Sequence, residues 1–257
     1  MKLVLLLMTV LVGFAAHADE GDSNYFGGGF HLGVGYNFVN YEQRISDTGT
    51  DFTTDASDIR FLYLSFMSRW NENLAFLLYG SLGTVTFHDS PSGAAQESHS
   101  SLTGDANAEA RITFGSHSER EDWVPTYILG INADYLPLVR APKSLAAGYE
   151  YGLVPVVSPD VGVTTTMWGS ASAWRNTIRF GVPLVSGSGM KVRSGYWATA
   201  VTSYTFGITS NFSMGVEGVI SYLSLKLSET SQVTNLDVDH TITEFSVGPR
   251  IFFNLGF

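Results

Sequence analysis

The stretch Phe245-Ser246-Val247-Gly248-Pro249-Arg250-Ile251-Phe252-Phe253-Asn254-Leu255-Gly256-Phe257 stands at the end of the sequence and decides how the rest is read. Counted back in steps of two, Phe257, Leu255, Phe253, Ile251, Pro249, Val247 and Phe245 fall on one side. Gly256, Asn254, Phe252, Arg250, Gly248, Ser246 and Glu244 fall on the other. A period of two belongs to a β-strand, whose successive side chains point to opposite faces. One face is wholly apolar and the other mostly polar or small, which suits a strand set between hydrocarbon and a wet interior. Pro249 has no N–H to give, so a local ladder defect is expected there.

The same alternation runs upstream. Phe30, Leu32, Val34, Tyr36 and Phe38 oppose His31, Gly33, Gly35 and Asn37, which makes 27–41 the first strand. In 106–114, Ala106, Ala108, Ala110, Ile112 and Phe114 oppose Asn107, Glu109, Arg111 and Thr113. Tyr127, Leu129, Ile131, Ala133 and Tyr135 form another lipid-facing row. Further strands are expected at 58–70, 74–88, 160–170, 174–186, 196–208 and 212–227, and with 27–41, 106–116, 123–136 and 241–257 they make ten. Segments 74–79 and 160–170 do not alternate cleanly and leave their faces open. Asn71-Glu72-Asn73 and Thr209-Ser210-Asn211 read as tight periplasmic turns. Segments 42–57, 89–105, 137–159, 187–195 and 228–240, rich in Ser, Thr, Gly and Asp, read as five surface loops. Tyr149, Tyr151 and Leu153 alternate inside 137–159, so an extra hairpin there would raise the count to twelve; eight is the neighbouring count below.

At the other end Lys2 precedes an apolar run from Leu3 to Ala16 and a small-x-small site at Ala16-His17-Ala18, the pattern of a cleaved signal peptide over residues 1–18. The run is short of the ~20 residues a spanning helix needs. The chain has no cysteine, which removes lipoprotein anchoring, disulfides, thiol catalysis and cysteine-zinc sites together. A net charge of −10 repels nucleic acid. The composition is 13% aromatic with 27 glycines, without a second long apolar run, which suits strands better than membrane helices.

The ending resembles the terminal strand of Gram-negative outer-membrane β-barrel proteins, whose last residue is typically Phe preceded by alternating apolar residues. Over about fifteen residues the resemblance implies an assembly signal at Phe253, Leu255 and Phe257, read by the barrel-assembly machinery. The fold expected is all-β: one closed, antiparallel, up-and-down transmembrane barrel over 19–257, in contact with outer-membrane lipid and lipopolysaccharide, and monomeric. In hydrocarbon an unpaired backbone group costs several kcal/mol, so strand 241–257 must pair with strand 27–41. Tyr36, Trp70, Trp168, Tyr196 and Tyr222 fall toward strand ends, where aromatic girdles form.

Alternation sends Glu109, Arg111, Asp134, Arg175, Arg179, Glu217, Glu244 and Arg250 into the lumen. Such charges form an ion-pair network filling a narrow interior, or line a small pore or solute site. Ten strands lie near the width at which side chains fill a barrel, so the pore expected is narrow, and 137–159 could fold inward to plug it. The reading is therefore a structural or narrow pore-forming barrel, with loop-mediated adhesion or ligand binding as the alternative. His88-Asp89-Ser90 is similar in its His-x-Ser spacing to outer-membrane phospholipases and lipid A deacylases, which would imply a lipid hydrolase. Pro91 follows at once, and Asp89 and Ser90 are turn formers. No catalytic residue is assigned, and the paired acids and His-Asp couple of omptin proteases are not visible. His31, His99, His117 and His240 are scattered singly, so no cofactor or transition metal is expected. Glu42, Asp47, Asp51, Asp55 and Asp58 read as a solvated acidic loop, with Ca²⁺ or Mg²⁺ shared with lipopolysaccharide as the rarer meaning.

Overall fold

A computed structural model describes residues 28–46, 50–71, 73–88, 99–113, 124–140, 150–169, 171–187, 189–209, 211–230 and 237–256. The signal segment 1–18, Asp47, Ser90, Phe114, His117 and Phe257 lie outside these residues. The elements are β1 (Gly28–Ile45), β2 (Thr50–Asn71), β3 (Leu74–Phe87), β4 (His99–Thr113), β5 (Val124–Arg140), β6 (Glu150–Trp168), β7 (Ser172–Gly181), β8 (Val185–Ser186), β9 (Lys191–Gly207), β10 (Phe212–Thr230) and β11 (Asp237–Gly256). Each long strand pairs antiparallel with its sequence neighbours, β9 with β7, and β1 with β11. The result is a closed ten-stranded barrel, with β8 a short continuation of β7 beyond Pro183.

Closure runs from Gly29↔Gly256 to Ile45↔His240. Between Gly35↔Arg250 and Phe38↔Val247 the ladder lacks its pairs, beside Pro249, as its missing N–H requires. A second irregularity sits in β2, where Gly33 faces Tyr63 and Gly35 faces Arg60, so Val34 opposes both Phe61 and Leu62. This bulge resets the parity of the strand: Arg60 and Tyr63 turn inward while Phe61 and Leu64 are exposed.

The outer surface is a belt of apolar side chains, including Phe30 to Phe38 on β1, Leu129 and Ile131 on β5, Ile178 on β7 and Ile251 and Phe253 on β11. Trp70, at 74% the most exposed large apolar residue among those described, lies at the periplasmic rim near the end of β2. Tyr36, Tyr135 and Tyr196 mark the other rim. Trp168 ends β6; its side chain lies outside the described set. No described helix is long and apolar enough to cross a membrane; the crossing is made by strands.

Apart from β7, of 10 residues, and the two-residue β8, the strands run to between 14 and 22 residues where about ten span hydrocarbon, so each of the five segments expected as surface loops is partly strand. Above the belt the polarity inverts. On β1, Asn40, Glu42 and Arg44 face outward while Val39, Tyr41 and Ile45 are buried inside. On β11, Asp237 and Asp239 are exposed while Val238 and Ile242 are buried. The barrel rises from a solvent that wants apolar groups outside into one that wants them inside, and the alternation changes sign accordingly. Segment 42–57 is thus strand over 42–45 and 50–57, and Asp58, read from sequence as a loop acid, points into the barrel at 6% exposure.

The segment expected as loop 137–159 is also corrected. β5 pairs with β4 only up to Tyr135↔Gly104, and β7 with β9 only up to Gly181↔Trp197. Beyond these points β5, the first half of β6, and 182–187 stay paired to one another, through Val182 N–H to Pro159 O and Leu184 N–H to Val157 O. They leave the wall as a three-stranded tongue. Pro137 and Pro183 stand at the two points of departure, where a missing N–H and a fixed φ favour the break.

Candidate functional site

The tongue is folded inward. Leu138, Val139, Val154 and Val156 are buried in one cluster with Val39, Tyr41 and Ile45 of β1, Val85 and Phe87 of β3, Leu225 and Leu227 of β10 and Ile242 of β11. β5 and β10 lie on opposite sides of the barrel, so this cluster fills its outer mouth.

A polar seam stitches the tongue down. Gln43 Nε2 donates to Val139 O at 2.6 Å and Val139 N–H donates to Gln43 Oε1 at 2.9 Å. Tyr41 Oη donates to the same oxygen at 2.7 Å. The second Nε2 proton meets His240 Nδ1 at 3.0 Å, which makes Nδ1 the acceptor and leaves His240 Nε2 to donate to Glu229 Oε1, also at 3.0 Å. Arg140 Nε donates to Glu229 Oε2 at 3.1 Å, and its Nη2 bonds the same oxygen. Glu229 lies at the outer end of β10, beyond the lipid belt. Burial opposes its charge, but the hydrogen bonds from His240 and Arg140, with the Arg140 charge, outweigh it and hold the carboxyl down at about 2.

Beneath the cap lies a cavity of about 370 Å³. All eight residues that alternation sends inward line it: Glu109, Arg111, Asp134, Arg175, Arg179, Glu217, Glu244 and Arg250. Arg179 bridges Glu109 Oε1 at 2.8 Å and Asp160 Oδ2 at 2.6 Å, and lies over the rings of Trp197 and Tyr79. Arg111 pairs with Glu109 at 3.0 Å. Arg250 pairs with Glu217 at 3.1 Å and sits 4.5 Å from the Tyr63 ring centre. A salt-bridged, stacked guanidinium has most of its donors satisfied, which fixes the lumen wall.

A third network was not visible in the sequence. Arg60 Nε meets Asp58 Oδ2 at 2.6 Å, and its Nη1 meets Asp105 Oδ1 at 3.3 Å and Ser81 Oγ at 2.9 Å. The β2 bulge hid Arg60 from strict alternation, and Gly104-Asp105 read as part of a loop. Gln43 and His240 were missed because they lie where polarity inverts; the usable signal was the concentration of prolines at 137, 155, 159 and 183 within strand-like sequence.

His88 ends outside the barrel with Nε2 3.4 Å from Ser57 Oγ. His31 stacks on Phe252. Among the described residues no cluster of His, Asp and Glu could hold a metal ion.

A closed antiparallel ring with an apolar belt outside and charges within defines an outer-membrane β-barrel protein of the Gram-negative type. No family model matches the chain, and no curated protein matches it. Among solved structures it is similar to the translocator domain of the autotransporter NalP from Neisseria meningitidis, at 11% identity, 99% of this chain, 96% of that one and a TM-score of 0.45. It is similar to the transport unit of the autotransporter AIDA-I from Escherichia coli, at 7% identity, 96% and 97% coverage and a TM-score of 0.44. It is also similar to an outer membrane channel from Pseudomonas putida F1, at 11% identity, 92% and 99% coverage and a TM-score of 0.43.

Proposed function

We propose that this outer-membrane barrel is a narrow pathway for small polar solutes, shut from outside by the tongue of β5, β6 and β8. One observation carries the reading: a charged chamber of about 370 Å³ lies under a plug whose own edge is hydrogen-bonded by Gln43. A barrel with a purely structural role needs no chamber, and this one keeps a charged chamber beneath its outer plug. The chain works as a monomer in contact with lipid and lipopolysaccharide, is exported by residues 1–18, and reaches its membrane through the assembly machinery acting on its last strand. On this reading it is not a lipid hydrolase, and His88→Ala and Ser90→Ala should each leave lipid A and phospholipid composition unchanged; an altered lipid profile would overturn that. Planar-bilayer recording tests the pathway. Wild-type protein shows rare, small openings, and Gln43→Leu combined with Glu229→Gln raises the open fraction at least tenfold. Silence of both proteins overturns the reading.

A further inference from the structure

The charges of the cavity are not evenly distributed. Arg111, Arg175, Arg179 and Arg250 share the part toward the periplasmic turns with Glu109 and Glu217. Toward the cap stand Asp58, Asp105, Asp134 and Glu244, from four different strands, with Arg60 as the cation among them. Arg60 is committed to Asp58 and Asp105. Asp134 stands directly opposite Asp105 in the β4–β5 ladder, a like-charge pairing that costs stability, and its hydrogen bond comes from Asn132, a neutral amide. Glu244 has no hydrogen bond or ion pair among the described residues, and lies within electrostatic reach of Asp58 and of Arg60, which is already committed to two other acids. Enclosed carboxylates need a cation, a proton or water.

A second observation points the same way. Asn37 and Asp58 are each more than nine-tenths buried, at 6% exposure, and both line this chamber. Asn37 Oδ1 and Asp58 Oδ1 have no hydrogen-bond partner. The spare groups here are acceptors, so what completes them must bring donors. Around Arg179 and Arg250 the spare groups are mixed, Nε of both arginines with Oδ1 of Asn107 and of Asp160. The acids are too dispersed to share one metal ion. A many-atom cation with several N–H donors fits the spread of the acids and the size of the chamber.

We propose that the chamber under the tongue binds a small organic cation, an alkyl ammonium or guanidinium, held by Asp134 and Glu244 with the free oxygens of Asn37 and Asp58. The site deepens the proposed pathway and rests on it for the entry of the ligand. A solute would arrive from the periplasmic end, where the cavity reaches Asn254 and Leu255.

The test uses the full barrel in detergent, titrated calorimetrically with 1,4-diaminobutane, 1,4-butanediol or succinate at constant ionic strength. The diamine binds saturably and the diol and dianion do not; Asp134→Asn with Glu244→Gln weakens the diamine at least tenfold while retaining heat-dependent gel mobility. Glu244→Gln alone, with a smaller loss, serves if the double variant does not fold. Absence of diamine binding to the wild type, equal binding in the folded variants, or stronger binding of succinate overturns the proposal. A barrel that binds the diamine and never conducts fails the pathway and keeps the site. A tongue-released barrel that conducts and binds no diamine does the reverse.

Discussion

Gln43 of β1 pairs with Val139 of β5 as though it were a neighbouring strand: its carboxamide accepts from the N–H and donates to the C=O of the same residue, across the mouth of the barrel. β5 has left β4 by this point, so Val139 would otherwise present two buried backbone groups without partners. The side chain amide has the donor and acceptor geometry of a peptide group, and Tyr41 and His240 use its remaining capacity. At Val139, then, one side chain stands in for the strand partner that the tongue has given up.

Gln43→Leu keeps the volume and removes both bonds. Each orphaned buried backbone group costs about 1–3 kcal/mol, so docking of the tongue weakens by roughly 2–6 kcal/mol while the membrane part of the barrel stays closed. External trypsin should then cut after Arg140 at least tenfold faster, with heat-dependent mobility unchanged. Equal cutting rates would show that the apolar cluster alone holds the tongue.

Glu229 gives the seam its dependence on pH. Its folded carboxyl is depressed to about 2, below the ordinary carboxylate value, so its contribution is complete at neutral pH and disappears as pH falls toward 2. Hydrogen exchange of the Val139 amide should accelerate as the pair with Arg140 is lost, after correction for intrinsic rate. Glu229→Gln should flatten that part of the profile.

Arg60→Met leaves Asp58 and Asp105 without their cation. Removing one partner of an enclosed ion pair costs about 3–5 kcal/mol, which urea unfolding in lipid vesicles would register as a lower midpoint. Adding Asp58→Asn should recover part of the loss, and no recovery would mean that Arg60 acts through packing.

Position along β11 sets the tolerance for charge. Ile251 faces the lipid belt, so Ile251→Arg costs about 2–4 kcal/mol, whereas Thr243→Arg, on the same outward face but above the belt, costs about 0–1 kcal/mol. Equal costs at the two positions would place both residues in the same environment and move the edge of the belt.

The sequence by itself determined the strand rhythm, the pairing of the terminal strand with the first, the ladder defect at Pro249 and the inward set from Glu109 to Arg250. These depend on a local period of two and on the rule that no backbone edge is left in hydrocarbon. Tertiary structure alone decided the rest. Arg60 came inside because the bulge at Phe61 and Leu62 shifted parity by one, a register event between strands. Gln43, Val139, Glu229 and His240 met because a tongue bent across the mouth, bringing together residues from β1, β5, β10 and β11. Local pattern reports which way a side chain points, but not what it meets across the barrel.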